Sequence, residues 1–325
     1  MLGFLKSSVL HFTSFPKLAA SKKFPLSVAK TLELEKQSVI SAKVSDYAQL
    51  VKLRLSLLVV FSAAIGYLLG VKDGVNWLDF VLVMMGGALV TGASNGFNQV
   101  IERKTDALMN RTANRPLPAG RMGVTEALIA STVMALLGIV PLYIFVNHLT
   151  GILSFISLLL YTIAYTPLKK VTPMAVFVGA IPGAAPPLIG WVAASGTFEP
   201  AAIALYMLQF IWQFPHFWAI AWVMDEDYRR AGFKLLPSPD GQGKRSAFQT
   251  LVYTASLIPL SFLPIVYGLG NIFSTVILVI CGIAFAYQAL KLYRQCSMPA
   301  ARQLMFGSFF YLPLIQIALL IGKLI

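Results

Sequence analysis

Three side chains with oxygen ligands stand at four-residue intervals at the end of a long apolar stretch. Asn98, Glu102 and Asp106 follow the run FVLVMMGGALVTGAS. On an α-helix, each four-residue step advances about 40° and rises about 6 Å, so the three side chains line one face. Oxygen ligands suit Mg²⁺, which takes one or two carboxylates together with substrate phosphates. The spacing predicts a metal-assisted site for a phosphorylated substrate, and the competing interpretation is a solvated helix end.

A second acidic cluster follows another apolar stretch. Asp225, Glu226 and Asp227 stand together in MDEDYRR, and the chain has only 13 acidic residues in 325. Two such clusters on one side of the protein would suit a two-metal site that holds a diphosphate. Alternatively, the second cluster is an ordinary charged loop.

Basic residues are interleaved with both clusters. Arginine and lysine suit phosphate oxygens or carboxylates, so these residues are candidate substrate contacts. The candidates are Arg103, Arg111, Arg115, Lys169 and Arg229, together with Glu226 and Tyr228 beside them. The excess of basic residues in cytoplasmic loops of membrane proteins explains most of these cations equally well.

The composition is that of a helical membrane protein. Hydrophobic residues make up 57% of the chain and charged residues 12%, against about 25% charged in soluble domains. Mean hydropathy is +0.74. Apolar runs of roughly 18 residues or more, separated by turn residues, predict an all-α bundle of about nine transmembrane helices. The predicted spans are 55–71, 77–98, 124–146, 149–167, 172–194, 200–223, 248–267, 271–290 and 303–323.

The basic residues fall almost entirely on one side of these predicted spans. With the N-terminus inside, only Lys72 and Lys323 lie on the outer side. This asymmetry explains the net charge of +13 without a nucleic-acid partner, and it predicts a multi-pass protein of the bacterial inner membrane. We divide the chain into a basic cytoplasmic tail, 1–46, and a transmembrane domain, 47–325. The tail lacks arginine, which argues against the alternative of a mitochondrial presequence.

One histidine stands within an aromatic apolar stretch. The segment IWQFPHFWAIAW places His216 about two turns before the second acidic cluster. The imidazole could ligate haem iron or act as an acid–base group towards a bulky planar substrate. It could equally be a hydrogen-bonded core histidine.

These stretches together resemble the UbiA superfamily of intramembrane prenyltransferases. NQVIERKTD and RTANRPL are similar to its N-x-x-x-D-x-x-x-D and R-T-x-x-R-P-L motifs, and WQFPHFWAIAWVMDEDYRRAGFKLLP is similar to its second motif. YTPLKK and GAIPGAAPPLIGWVAASG also match, so that the likeness covers most of the chain after the tail. Glu102 and Glu226 stand where the superfamily usually has Asp, and Asp225 stands where Lys is common.

The PHFW segment is similar to the branch of this superfamily that transfers a farnesyl group from farnesyl diphosphate to a vinyl group of haem B. The resemblance implies Mg²⁺ as the cofactor, with haem B as a substrate, the lipid bilayer as the environment and haem–copper oxidase assembly factors as further partners. The implied metal ligands are Asn98, Glu102, Asp106, Glu226 and Asp227, and all of them except Glu226 are implied to be catalytic. An aromatic or quinone prenyltransferase and a membrane transporter are the alternatives.

Overall fold

The computed structural model describes residues 40–325, in which Ser45–Ile325 forms one unit. The predicted tail, 1–46, lies almost wholly outside the described residues and stays a prediction. Within Ser45–Ile325, nine long helices follow one another. They are α1 (Leu53–Gly70), α2 (Trp77–Asp106), α3 (Val124–Pro141), α4 (His148–Leu159), α5 (Ala175–Ser195), α6 (Pro200–Val223), α7 (Lys244–Leu260), α8 (Ile272–Gln295) and α9 (Met298–Leu324). The predicted all-α bundle is confirmed.

Eight of these helices are long and apolar enough to cross a membrane when α4 is followed to Leu168 and α7 to Val266, and α6 is the exception. Its 24 residues would reach about 36 Å, which is sufficient for a bilayer. However, α6 carries Gln209, Gln213 and His216 in the part that would lie within the bilayer, and these residues lower its mean hydropathy. Its polar residues are shielded by the other helices, since both glutamines are buried. The least apolar span is therefore also one of the most enclosed.

Several helices extend beyond their apolar runs. Helix α2 has 30 residues, about 45 Å, so its last turns project beyond the hydrocarbon layer. Helix α7 begins at Lys244 and α9 at Met298, each a few residues before the predicted start. A charged residue ends an apolar run without ending a helix, which explains these differences. Helix α4 continues through a π-helical turn, Leu160–Tyr165, and a further short turn, Thr166–Leu168.

Helices α1 and α5 cross in close contact because glycine removes the intervening side chains. A Cβ atom at Gly66 would collide with the carbonyl oxygen of Pro187, and one at Gly190 would collide with that of Ala63. Small residues allow this approach in membranes, where packing rather than the hydrophobic effect drives helix association. The crossing fixes the first helix against the proline-rich α5 in the middle of the bundle.

A buried network of polar side chains joins α1, α5, α6 and α9. The side-chain amide of Gln316 donates to Ser62 Oγ at 2.9 Å and to Gln209 Oε1 at 3.0 Å. Gln209 in turn donates to the Gly183 carbonyl at 2.9 Å. That carbonyl lacks its helical partner because Pro187 has no N–H. The proline thus creates an acceptor, and α6 supplies the donor.

The segments that follow α2, α4 and α6 meet at one end of the bundle. Lys234 donates its backbone N–H to the Lys169 carbonyl at 2.7 Å, and Asn110 donates its own to Asp227 Oδ1 at 3.2 Å. The segment before α1 joins them through an ion pair between Asp46 and Arg121 at 2.8 Å. We call this end of the bundle the polar end.

Candidate functional site

The last turns of α2 present a buried acidic face. Asn98, Glu102 and Asp106 are 1%, 5% and 0% exposed, although they lie where α2 approaches the polar end. Their four-residue spacing places them on one side of the helix, as the sequence pattern predicts. Buried carboxylates are costly unless they are paired or bind a cation, so their partners decide what this face does.

Each buried carboxylate is paired with a basic side chain from another part of the chain. Asp106 Oδ2 accepts a hydrogen bond from Arg115 at 2.7 Å, and Glu102 Oε1 accepts one from Lys169 at 2.8 Å. Arg115 lies in the segment after α2, whereas Lys169 comes from the end of α4. Both distances are those of short charge-assisted bonds.

Asn98 links the acidic face to α1 and α4. Its Oδ1 accepts from Lys52 Nζ at 3.2 Å, and its Nδ2 donates to Thr166 Oγ1 at 3.1 Å. Thr166 follows the π-helical turn of α4, and its hydroxyl also donates to the Tyr161 carbonyl at 2.8 Å. Such π-helical turns are frequent at functional sites. Here the turn brings Thr166 and Lys169 to the same face of α2.

Three basic side chains surround two carboxylates at this face. Burial, together with the charges of Arg115 and Lys169, lowers the pKa of Lys52 to about 7 against the opposing effect of Glu102 and Asp106. Burial is the largest effect on Lys169 and works to lower its pKa, but Glu102, Tyr161 and Tyr228 together outweigh it and the pKa is raised. Arg115 and Lys169 balance the two carboxylates, so protonation of Lys52 would give this face an excess of positive charge that favours an anionic substrate.

The second acidic cluster lies on a short helix, Asp225–Arg230, and only part of it faces the first. Asp227 accepts from the backbone of Asn110, as described above, and from Arg230 at 2.9 Å. The Glu226 side chain is 89% exposed and contacts Arg230 at 3.4 Å. Within residues 40–325, no three His, Cys, Asp or Glu side chains lie close enough together to hold a metal by themselves.

Aromatic rings connect the acidic face to α6. Lys169 Nζ lies 4.5 Å from the centre of the Tyr165 ring, and that ring lies 6.3 Å from the ring of Phe217. The next ring is that of His216, 5.6 Å from Phe217. The His216 Nδ1 atom is 2.8 Å from Ser308 Oγ on α9. The site therefore has a charged part at the polar end and an aromatic part deeper in the bundle.

Comparison with known proteins identifies the family of this chain. The UbiA prenyltransferase family matches residues 59–312. The chain is 47% identical to a protoheme IX farnesyltransferase of Cytophaga hutchinsonii, over 88% of this chain and 100% of that protein. It is 42% identical to a protoheme IX farnesyltransferase of Flavobacterium johnsoniae, over 86% of this chain and 94% of that protein. The chain belongs to the UbiA prenyltransferase family.

Solved structures show the same fold. A digeranylgeranylglyceryl phosphate synthase superposes with a TM-score of 0.73 and 22% identity, covering 87% of this chain and 99% of that one. A UbiA homologue from Archaeoglobus fulgidus bound to GPP and Mg²⁺ superposes with a TM-score of 0.65 and 16% identity, covering 85% and 99%. The predicted membership of the UbiA family is thus confirmed together with its fold.

Some predicted site residues of this UbiA-family chain do not converge on the acidic face. Arg103 donates to the Val100 carbonyl of its own helix at 2.8 Å, and Arg111 is exposed. Arg229 has a side chain that is 79% exposed, and it lies 3.9 Å from Asp225 within the same short helix. Tyr228, by contrast, does approach the acidic face: it packs on Phe233, with ring centres 5.9 Å apart, and it interacts electrostatically with Lys169.

Several residues of the site were not predicted from the sequence. Lys52 and Thr166 contact Asn98, and Asn110 contacts Asp227, yet each is a common polar residue near a helix end. Ser308 lies in the apolar helix α9, far along the chain from His216. Only Lys52 had a signal in the sequence, because KLR at 52–54 resembles a K-P-R stretch of the superfamily.

Proposed function

We propose that this chain transfers the farnesyl group of farnesyl diphosphate to a vinyl group of haem B, giving haem O. The observation that carries the proposal is the agreement between the relatives' shared name and the buried acidic face of α2, surrounded by cations. The haem O formed in the inner membrane would be used in the assembly of terminal oxidases, and haem–copper oxidase assembly factors would receive it.

The acidic face fits Mg²⁺ by the chemistry of its donors. Asp106 Oδ1 is buried and accepts no hydrogen bond, so a fully enclosed carboxylate oxygen remains available. Asn98 and Glu102 supply further oxygens on the same side of α2, and Asp227 approaches through Asn110. A bound Mg²⁺ ion would neutralise charge on the diphosphate leaving group. Glu226 would contribute little to this site because its side chain points into solvent.

The basic residues of the acidic face would hold the diphosphate. Arg115, Lys169 and Lys52 all lie on or beside this face, and each can donate to phosphate oxygens. Positioned donors of this kind stabilise a leaving group as its charge develops. The apolar farnesyl chain would extend from there along the rings of Tyr165 and Phe217 into the bundle.

Carbon–carbon bond formation would then occur where the two parts of the site meet. The bond between farnesyl C1 and the diphosphate oxygen breaks, and its electron pair leaves with the diphosphate. The π electrons of the vinyl group form the new bond to C1, which leaves a cation on the vinyl carbon next to the porphyrin. Aromatic side chains nearby stabilise positive charge and exclude water from the farnesyl cation.

The decisive test is a reaction with the purified full chain in lipid nanodiscs. We expect haem B, farnesyl diphosphate and Mg²⁺ to give a farnesylated, hydroxylated haem that mass spectrometry detects after extraction. Omission of Mg²⁺ with added EDTA should abolish the product. Prenylation of a quinone precursor in place of haem B would instead favour the aromatic prenyltransferase alternative.

The orientation in the membrane is a separate prediction, with the polar end in the cytoplasm. Asp73 and Asp240 are exposed and lie at opposite ends of the bundle. In a chain whose Cys281 and Cys296 are replaced by serine, we expect Asp73→Cys to react with an impermeant maleimide on intact cells. Asp240→Cys should react only after permeabilisation. The reverse pattern would place the site on the outer face.

A further inference from the structure

The protonation of His216 follows from its hydrogen-bond partner. Ser308 Oγ lies 2.6 Å from the Met305 carbonyl, which can only accept, so the serine donates its single hydrogen there. The contact of 2.8 Å between Ser308 Oγ and His216 Nδ1 then requires Nδ1 to be the donor. A neutral imidazole with a proton on Nδ1 has its lone pair on Nε2. The buried serine thus selects the tautomer in which Nε2 is a base.

The orientation of the His216 ring is also fixed. Its face stacks on Trp212, with ring centres 4.4 Å apart and planes at 21°. The rings of Phe217 and Phe309 contact it edge-on from two other directions. Trp212 is itself held by a hydrogen bond from its indole to the Ser308 carbonyl at 3.1 Å. The Nε2 atom makes no hydrogen bond to the described residues.

A buried amide lies beside this base. Gln213 is three residues before His216, so the two side chains are neighbours on one face of α6. Gln213 is 6% exposed, and its side-chain amide makes no hydrogen bond to the described residues, although its polar atoms are not completely enclosed. Gly183 makes room for it, since a Cβ atom there would lie 2.9 Å from the Gln213 amide nitrogen. An amide placed in this way can bind a water molecule without breaking a hydrogen bond within the protein.

Gln209 lies one turn farther from the polar end than Gln213, and its contacts show that this face of α6 points into the bundle. Its amide oxygen accepts from Ser62 and Gln316, and its amide nitrogen donates to the Gly183 carbonyl. Gln209, Gln213 and His216 lie at steps of four and three residues and therefore form one stripe. Gln209, which lies farthest from the polar end, is hydrogen-bonded to the protein. Gln213 and His216, nearer the polar end, each keep a polar atom that makes no hydrogen bond to the described residues.

We propose that Gln213 and His216 hold the water molecule that captures the cation formed after prenyl transfer, with His216 Nε2 taking its proton. This inference rests on the proposed function and assigns residues to its final step. The water oxygen forms a bond to the cationic carbon next to the porphyrin, and one of its protons passes to Nε2. The imidazolium then releases that proton to solvent or to the diphosphate. His216 is accordingly a catalytic base rather than a ligand of haem iron.

The alternative fate of the cation provides a specific readout. If water does not add, the cation loses a proton from the adjacent CH₂ group and forms an alkene, so the product is lighter by one water. A structural defect would lower the yield of both products together. Loss of the water site would change their ratio, which mass spectrometry of the extracted haem measures directly.

We would compare wild type, His216→Asn and Gln213→Leu in nanodiscs with haem B, farnesyl diphosphate and Mg²⁺. Asparagine can keep the hydrogen bond to Ser308 but offers no basic nitrogen in place of Nε2. We expect His216→Asn to reduce water capture about 100-fold relative to proton loss, and Gln213→Leu to reduce it about tenfold. Water labelled with heavy oxygen should enter the hydroxylated product of the wild type.

Matched controls separate this role from general effects. His148→Ala changes an exposed histidine near the other end of the bundle, and Gln303→Leu changes an exposed glutamine of α9. Both should give the wild-type product ratio. Failure of the wild type to farnesylate haem B would reject the proposed function itself. Active His216→Asn with an unchanged product ratio, or a shift of its Soret band that indicates lost iron ligation, would overturn only the inference.

Discussion

The two acidic clusters carry similar residues but have different surroundings. On α2, the partners of Glu102 and Asp106 come from other segments, and both carboxylates are almost completely enclosed. On the short helix after α6, Asp227 and Glu226 are paired with Arg230 of the same helix, at distances of 2.9 Å and 3.4 Å. The first cluster is therefore built by tertiary packing, and the second mostly by local helix contacts.

This difference indicates how much each carboxylate can contribute. Charge pairs between exposed residues one helical turn apart are weak and easily screened. A carboxylate in a low-dielectric site interacts more strongly with a cation or a developing charge. Asp227 is intermediate, because its side chain is 13% exposed and it reaches the first cluster through the backbone of Asn110. The order of importance should be Asp106, Glu102, Asp227 and then Glu226.

The largest effect on activity should come from Asp106→Asn. Asparagine has nearly the same shape but lacks the negative charge that would hold Mg²⁺ against the diphosphate. We expect farnesyl transfer to fall by about 10²–10³-fold, as for the loss of one well-placed electrostatic contact at a transition state. Haem O formed per minute measures this loss, while unchanged binding of haem B shows that the fold persists. Wild-type turnover in excess EDTA by this variant would eliminate the metal mechanism.

The buried pair of Glu102 and Lys169 should matter for stability as well as activity. Replacing Lys169 by Met leaves a buried carboxylate without its partner, which typically costs about 3–5 kcal/mol. The double variant Glu102→Gln with Lys169→Met should recover much of that stability, because no isolated charge remains. Thermal unfolding in detergent measures the difference between single and double variants. We expect the double variant to remain inactive, and additive destabilisation would contradict the buried pair.

Glu102→Asp should reduce activity much less than Asp106→Asn or the double variant of Glu102 and Lys169. The shorter side chain restores the residue that the superfamily usually has at this position, and it preserves the charge. It also moves the carboxylate away from Lys169, which now contacts Glu102 at 2.8 Å. We expect activity within about tenfold of wild type, consistent with a weakened charge-assisted hydrogen bond. A loss equal to that of Asp106→Asn would show that the distance to Lys169, rather than the charge, controls the site.

Sequence periodicity was sufficient to predict the acidic face but not its partners. The spacing of Asn98, Glu102 and Asp106 defines one side of α2 wherever that helix packs. The contact between Glu102 and Lys169 joins residues 67 positions apart and depends on how α4 packs beside α2. The π-helical turn that brings Thr166 to Asn98 also has no periodic signature. For the same reason, sequence alone could not distinguish Gln209, whose amide nitrogen and oxygen both form hydrogen bonds, from Gln213, whose amide forms none with the described residues.

The smallest effects should come from the second cluster, where two neighbouring acids can be compared directly. Asp227→Asn should reduce farnesyl transfer about tenfold, since it weakens the hydrogen bonds from Asn110 and Arg230 and removes one charge near the site. Glu226→Gln should change the rate by less than about twofold, because its side chain is 89% exposed and its contact with Arg230 is weak.

The two variants remove the same charge from adjacent residues, so the net charge of the loop cannot explain a difference between them. Rates measured over a range of Mg²⁺ concentrations distinguish the two variants further. If Asp227 helps to hold the metal, its variant should need more Mg²⁺ to reach half of its maximal rate, whereas Glu226→Gln should follow the wild-type curve. Equal losses in both variants would mean that the short helix acts through its overall charge. The second cluster would then be only a charged loop, as the simpler interpretation of the sequence holds.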